Sequence, residues 1–370
     1  LVTTKRPKGA SRFELNYNNN FAFGKAVNLP KQAPLMDYLQ AYLDCGYSDA
    51  YWSLGSPSVS KWMEYLTAYQ KDPSSFNTVG DGIYVDESGV PYYLNEKDLY
   101  KNFMETSFQM THNISVSGGT DKLRYRISGG YNSNDGVLIS DRDKFERMNV
   151  NSFISADVTK WFTQEITMSY AHSLQTSPGG MGGVYNTRLV SYYPEGELPA
   201  SVNTLADEDL PLFTPRNQIL YSNPVNNKND NPRIFLKSIL KPLKGLEAVF
   251  EKNIYDYHWY TGQYDYTTIQ GGSSKSFVDD YLRKYKQHTN YNSINVYATY
   301  NKDFGNHHFK VMAGFNQESS YQETLDTYSY NQAVLDVPAM SSGTGTIKAT
   351  DSYSEYAIRG GFFRVNYNYL

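Results

Sequence analysis

The sequence predicts an all-β protein: a transmembrane, antiparallel, up-and-down β-barrel, present in part, with helical insertions in its first long loop. Three observations predict it. Short segments alternate apolar and polar residues with period 2. The links between those segments alternate between long and short. Aromatic residues reach 15%, with 35 Tyr, 18 Phe and 4 Trp, while charged residues are only 19%, below the roughly 25% of an average soluble protein.

The strands follow in order. Phe13, Leu15 and Tyr17 alternate with Glu14, Asn16 and Asn18, the signature of a strand with one apolar face. Leu123, Tyr125 and Ile127 alternate with Arg124, Arg126 and Ser128. Met148, Val150 and Ile154 alternate with Asn149, Asn151 and Ser155, and Ile166, Met168 and Tyr170 oppose Glu165, Thr167 and Ser169. Phe309, Val311, Ala313 and Phe315 share one face, as do Phe363, Val365, Tyr367 and Tyr369. Weaker strands cover 107–118, 231–241, 245–258 and 290–301, for about ten in all. The 231–241 segment is ambiguous, because Phe235 and Ile239 fall on the face of Lys237. The other apolar rows carry no charge, as a lipid-facing row requires.

Alternation alone fits a soluble sheet with one wet face equally well. The links decide between the two. Tight turns are expected near 118–121, 157–160, 241–245 and 301–306. Long links are expected near 24–106, 132–144, 175–230, 260–284 and 319–354. In an up-and-down barrel every second connection lies on the same rim, and outer-membrane barrels keep short turns on one rim and long loops on the other. Trp161 and Phe304 lie at tight turns, where an interfacial aromatic girdle belongs. The first long link carries two helical patterns, Pro34 to Leu43 and Val59 to Tyr69. Pro34 fits a helix start and Gly46 a helix stop.

Composition excludes several classes. A net charge of -4 gives no basic footprint for nucleic acid. Mean hydropathy is -0.59, and no apolar run reaches the roughly 18 residues of a membrane helix. One cysteine, Cys45, allows no internal disulfide. The opening Leu1-Val2-Thr3-Thr4 and the closing alternating run read as cuts through a longer chain, so the segment is expected to leave two open sheet edges.

Several stretches resemble the SusC/RagA type of TonB-linked outer-membrane transporter. The most specific runs from His112-Asn113-Ile114-Ser115-Val116-Ser117-Gly118-Gly119 through Tyr125, Gly129-Gly130-Tyr131 and Asp135-Gly136-Val137. Leu1 to Arg6 resembles the last strand of the plug domain. Thr159-Lys160-Trp161-Phe162, Lys244-Gly245-Leu246 and Tyr300 to His308 with Gly314-Phe315 resemble hairpin turns of the barrel. Phe362 to Tyr369 resembles a further barrel strand, with Phe362-Phe363 in place of the usual Phe-Gly. The resemblance implies a plugged barrel of about 22 strands, with residues 1–6 ending the plug and 7–370 forming the N-terminal part of the barrel. It further implies residence in the bacterial outer membrane and TonB-dependent import of an oligosaccharide or oligopeptide. A SusD-like surface lipoprotein and the TonB complex would be its partners.

Candidate ligand-binding residues are the loop aromatics Trp52, Tyr257, Trp259, Tyr260 and Tyr264, whose rings suit stacking on sugars or peptide groups. Tyr257 and Trp259 share a face and equally suit an extracellular girdle. No catalytic residue, cofactor or metal is assigned. His307 and His308 point to opposite faces of a strand and do not readily chelate one ion. Asp207-Glu208-Asp209 lacks the spacing of a calcium loop, and Gly179 to Gly183 lacks the Lys-Ser/Thr of a phosphate loop. Asn113-Ile114-Ser115 matches a glycosylation sequon but lies in an expected strand. The helices of the first link read as a docking surface for the lipoprotein or as local packing over the barrel mouth. The rival functions are a Tyr-rich surface β-protein that binds glycans and, more remotely, a glycoside hydrolase, which needs two carboxyls about 5–10 Å apart.

Overall fold

The computed structural model describes residues 11–29, 33–51, 56–79, 82–96, 104–179, 197–198, 210–211, 219–220, 223–265, 268–271, 274–277, 281–334 and 337–369. Residues 1–6, expected to end the plug, lie outside them.

Ten strands form the main sheet: β1 (Ser11–Gly24), β5 (Ser107–Gly119), β6 (Leu123–Asp135), β7 (Lys144–Asp157), β8 (Phe162–Pro178), β11 (Pro224–Leu243), β12 (Leu246–Asp265), β15 (Tyr281–Phe304), β16 (His307–Tyr330) and β17 (Ile347–Tyr369). Three short strands, β2 (Thr78–Val79), β3 (Ile83–Val85) and β4 (Pro91–Tyr93), interrupt the first long link. Two two-residue strands, β9 (Glu197–Leu198) and β10 (Leu210–Pro211), and a small hairpin, β13 (Thr268–Gly271) and β14 (Ser274–Phe277), belong to later links. Every main-sheet strand pairs antiparallel with the next one in the chain, so the sheet is an up-and-down meander. β1 and β17 are its edges, and the sheet does not close.

The register separates two faces. Leu15, Val116, Ile127, Ser152, Met168, Ile234 and Ile254 stand opposite one another across seven strands. One residue further on, Asn16, Ser115, Ser128, Asn151, Ser169, Arg233 and Tyr255 form the matching row of the other face. A slip of one residue would interchange the rows. The apolar face is also the exposed one: Ile114, Ile127, Met148, Val150, Met168, Ile234, Phe250, Val296, Val311 and Val365 are all open to the surroundings. An apolar band this wide on an uncovered face implies an apolar environment rather than water.

The ambiguous segment resolves within β11. Ile234 and Leu236 lie on the apolar face, while Phe235, Lys237 and Ile239 lie on the polar one. Lys237 is held there by an ion pair with Glu251 of β12, 3.0 Å away. The apolar face is not free of charge, contrary to the rows read first. Lys252 of β12 stands opposite Leu236 and Ile294, with its Nζ donating to Asn292 Oδ1 at 3.1 Å. It lies between Phe250 and Ile254 on that face, and its long stem carries the amine toward the Asn292 amide, one same-face pair further from the short turns.

The four tight turns fall where expected, and the strands run further than expected. β15 and β16 each span 24 residues, against the roughly 9–11 that cross a bilayer. The long links shrink to match, to 136–143, 179–223, 266–280 and 331–346. Above the apolar band both faces are wet, so Tyr281 to Thr289 pairs as strand without any period-2 pattern to announce it.

The first long link folds into its own small unit. Helix α1 (Leu35–Asp44) and helix α2 (Val59–Lys71) pack with the β2–β4 meander around Leu35, Leu39, Tyr51, Trp62, Leu66, Ile83, Tyr92, Tyr93 and Leu94. Trp62 Nε1 donates to the Tyr93 carbonyl at 2.6 Å, which lets an indole be fully buried without an orphaned N–H. Gly46 ends α1 with φ +80°. Ser58 caps α2, its Oγ accepting from the Lys61 N–H at 3.2 Å. Asp49 accepts from Ser58 Oγ at 2.5 Å and from the Ser60 N–H at 2.8 Å. These bonds to the charged carboxylate, the Ser58 one first, hold its pKa below the usual range. The helices were legible from apolar spacing; the meander, with strands of two and three residues, was not.

Candidate functional site: the polar face of β11, β12, β15 and β16

The polar face changes character along the strands. Beside β1 to β8 it is lined by Asn, Ser, Thr and Arg, with Arg126 donating to Ser115 Oγ at 3.1 Å. On the upper half of β11 to β16 it becomes an aromatic and amide wall. Tyr255 and Tyr257 of β12 stack with ring centroids 6.4 Å apart and planes at 13°. Their hydroxyls donate to Asn231 Oδ1 at 3.0 Å and Asn229 Oδ1 at 2.7 Å on β11. Trp259 meets Tyr285 of β15 edge to face at 5.1 Å. Arg283 of β15 makes a two-pronged contact with Asp326 of β16, at 3.0 and 2.9 Å, and lies over the Tyr285 and Tyr328 rings. Tyr291 donates to Glu318 at 2.8 Å.

This wall is fixed before any ligand arrives. The Tyr255 and Tyr257 tips are tied to asparagines on the neighbouring strand, the Tyr291 tip to Glu318, and the guanidinium is locked to its carboxylate and flanked by rings. Such a surface presents flat apolar rings for stacking and an ordered array of amide and hydroxyl groups for hydrogen bonding.

The expected site residues divide. Tyr257 and Trp259 lie together on the wall. Tyr260 and Tyr264 are on the same strand but opposite Lys286 and Leu282 on the other face, so they do not join it. Their odd separation from Tyr257 put them there by parity. Trp52 lies outside the described residues, as do Asp207-Glu208-Asp209 and Gly180 to Gly183. Tyr255, Arg283, Tyr285 and Asp326 were missed, because pairing β12 with β15 and β16 needs a register the sequence does not state. His307 and His308 have separate partners, Tyr367 at 2.8 Å and Asp303 at 2.7 Å. Asn113 lies within β5, between β1 and β6.

On the apolar face, the rim of short turns carries a run of rings. Phe304 meets Phe309 at 6.2 Å, Phe309 meets Tyr367 at 5.0 Å, and His307 meets Tyr369 at 5.2 Å. Trp161 is exposed at the same rim.

An open antiparallel meander with an apolar band on one face, a polar wall on the other, short turns on one rim and long links on the other is part of an up-and-down barrel of the outer-membrane type. Its sequence is similar to that of a TonB-dependent receptor. "TonB-dependent receptor P3" of Formosa agariphila is 26% identical over 273 residues, which cover 69% of this chain and 26% of that protein. Two structures of the RagAB peptide importer, in the closed-closed and open-open states, each match 99% of this chain and 41% of theirs, with TM-score 0.71 and 16% identity. A third, of the RagAB peptide transporter, matches with TM-score 0.72 and 15% identity. These structural likenesses are of fold. No family model matches the chain. The chain spans less than half the length of the proteins it matches, so it corresponds to part of a barrel, as its open edges do.

Proposed function

We propose that the protein imports a nutrient oligomer across the bacterial outer membrane in a TonB-dependent manner, and that residues 7–370 supply the N-terminal part of its barrel. The observation that carries this is the division of one continuous sheet into an apolar face and a polar, aromatic face, in a fold shared along its length with a peptide importer. On this reading the apolar face meets lipid and the polar face lines the lumen. The protein does no bond chemistry. Its wall supplies contacts, and a plug ending near residues 1–6 supplies the gate.

The cargo is an oligopeptide or oligosaccharide, since rings such as Tyr257 and Trp259 stack on either. The peptide-importer neighbours favour the peptide. A SusD-like lipoprotein would present it from outside, with the α1–α2 unit of the first link beside the mouth. The test is uptake of labelled oligopeptides and oligosaccharides by cells carrying the full-length protein. The expected result is uptake that depends on TonB and falls about tenfold or more in a Tyr257→Ala/Trp259→Ala double variant present at normal levels in the outer membrane, since a stacked ring contributes on the order of 1 kcal/mol. Uptake that survives loss of TonB would contradict the energy-coupled reading, and uptake indifferent to the double variant would remove the wall from the cargo path.

A further inference from the structure

The apolar face of β12, β15 and β16 continues above its band into a polar patch that import does not use. There Asp256 and His258, two residues apart on β12, point the same way, and His288 of β15 stands directly opposite His258. The two imidazoles lie parallel with centroids 4.5 Å apart and planes at 4°. Asp256 sits between their edges: Oδ2 is 3.1 Å from His258 Nε2 and Oδ1 is 2.6 Å from His288 Nε2. Ligand atoms of all three lie within 4.8 Å of one another. Glu323 of β16 is next in the row, its Oε1 3.6 Å from His288 Nδ1.

From this we infer a binding site for one divalent ion of the zinc class, held by Asp256, His258 and His288 on the outward face of the extracellular extension of the sheet. Two imidazoles and one carboxylate form a borderline nitrogen and oxygen set, which suits zinc, copper or nickel and not calcium, which takes only oxygen. The backbone already supplies the spacing. With bonds of about 2.0–2.1 Å, tetrahedral ligand atoms stand about 3.3 Å apart, so the ligand atoms must close from as much as 4.8 Å and the parallel rings must turn about their side-chain torsions to aim at one ion. Binding would displace the imidazole protons that now bond Asp256. His288 would then carry its proton on Nδ1, facing Glu323, the usual carboxylate support of a metal-bound histidine. His258 Nδ1 has no hydrogen-bond partner among the described residues, so an ion on Nε2 would leave the ring proton on Nδ1 without an acceptor from the sheet. The ion would cross-link β12 to β15 where the strands leave the apolar band. Among the described residues this is the one such cluster. It eluded sequence reading because His258 and His288 meet only through the register.

The experiment uses the full-length protein without a histidine tag, purified in detergent, stripped with chelator and titrated with Co²⁺, followed by Zn²⁺ displacement. The expected result is saturable visible absorption at one equivalent, abolished by zinc. It should weaken at least a hundredfold in His258→Ala and His288→Ala and remain unchanged in His308→Ala, at the opposite rim. Asp256→Asn keeps the fold's hydrogen-bond acceptor and should weaken binding about tenfold or more, so it reports even if a histidine variant misfolds. Absence of saturable absorption in the wild type would overturn the site. Binding unchanged in Asp256→Asn and in either folded histidine variant would overturn it equally.

Discussion

Gly314 shows how closely neighbouring strands of the sheet approach. It faces Tyr297 on one side and Phe362 on the other. A Cβ there would lie 2.5 Å from Phe362 Cζ and 2.7 Å from Tyr297 Cβ. The ring tip can swing aside, but Tyr297 Cβ moves only with its backbone. Gly314→Ala should therefore destabilise the barrel by about 1–3 kcal/mol, read as a lower midpoint of chemical unfolding of the full-length protein in micelles. Gly262→Ala is the control, since nothing lies within 4 Å of its added carbon; an equal loss there would refute the packing argument. Gly245 adds a backbone constraint at the β11–β12 turn, with φ +87° and a Cβ position 2.3 Å from the Asn301 carbonyl oxygen. At this scale the sequence told which residues share a face of one strand, as Tyr257 and Trp259 do. It did not tell which residues meet across strands: Arg283 and Asp326 are 43 residues apart, and only the register joins them.

At the scale of elements, a strand that divides two environments should respond to charge by parity. On β8, Met168→Arg places a cation on the apolar face and should cost roughly 2–4 kcal/mol at mid-band. Thr167→Arg, on the polar face, should cost little. Folded yield in the outer membrane reads the difference, and equal effects would contradict the assignment of faces. The α1–α2 unit makes a separate prediction. The folded-state pKa of Asp49 is lowered, so its contribution is complete above the ordinary carboxylate pKa and is lost as pH falls through the lower folded value. The hydrogen-exchange protection factor at the start of α2, corrected for the intrinsic pH dependence of exchange, should therefore fall on acidification below about pH 4, and Asp49→Asn should flatten that dependence. A dependence unchanged in the variant would place the acid sensitivity elsewhere. The strands of the apolar band were legible because alternation is strict where one face must avoid charge. Their extensions, such as Tyr281 to Thr289 of β15, were not legible, because two wet faces impose no period. The meander of the first link was too short to register.

At the scale of the whole molecule, ten strands with two unpaired edges bury no common core. Among the described residues the cluster of buried side chains belongs to the first link. The sheet's exposed large apolar residues lie mostly on one face, while Phe235, Ile239 and Val249 lie on the other. An uncovered apolar face of this width calls for an apolar cover, and the two unpaired edges call for further strands. The loop-length alternation and the paired faces made that architecture readable from sequence, because both follow from crossing a bilayer. The cargo was not readable, because the wall that would hold it is assembled from four strands. The central claim is that lipid meets one face of this sheet and water the other. It is tested most directly by single cysteines along β8 and β16, in full-length protein in native outer membrane, with exposed Cys45 replaced by Ser. Thr167, Ser169, Asn316 and Glu318 positions should react with a water-soluble maleimide, while Ile166, Met168, Val311 and Phe315 positions should resist it and respond to a lipid-borne quencher. Uniform labelling along both strands, or the opposite parity, would contradict the account.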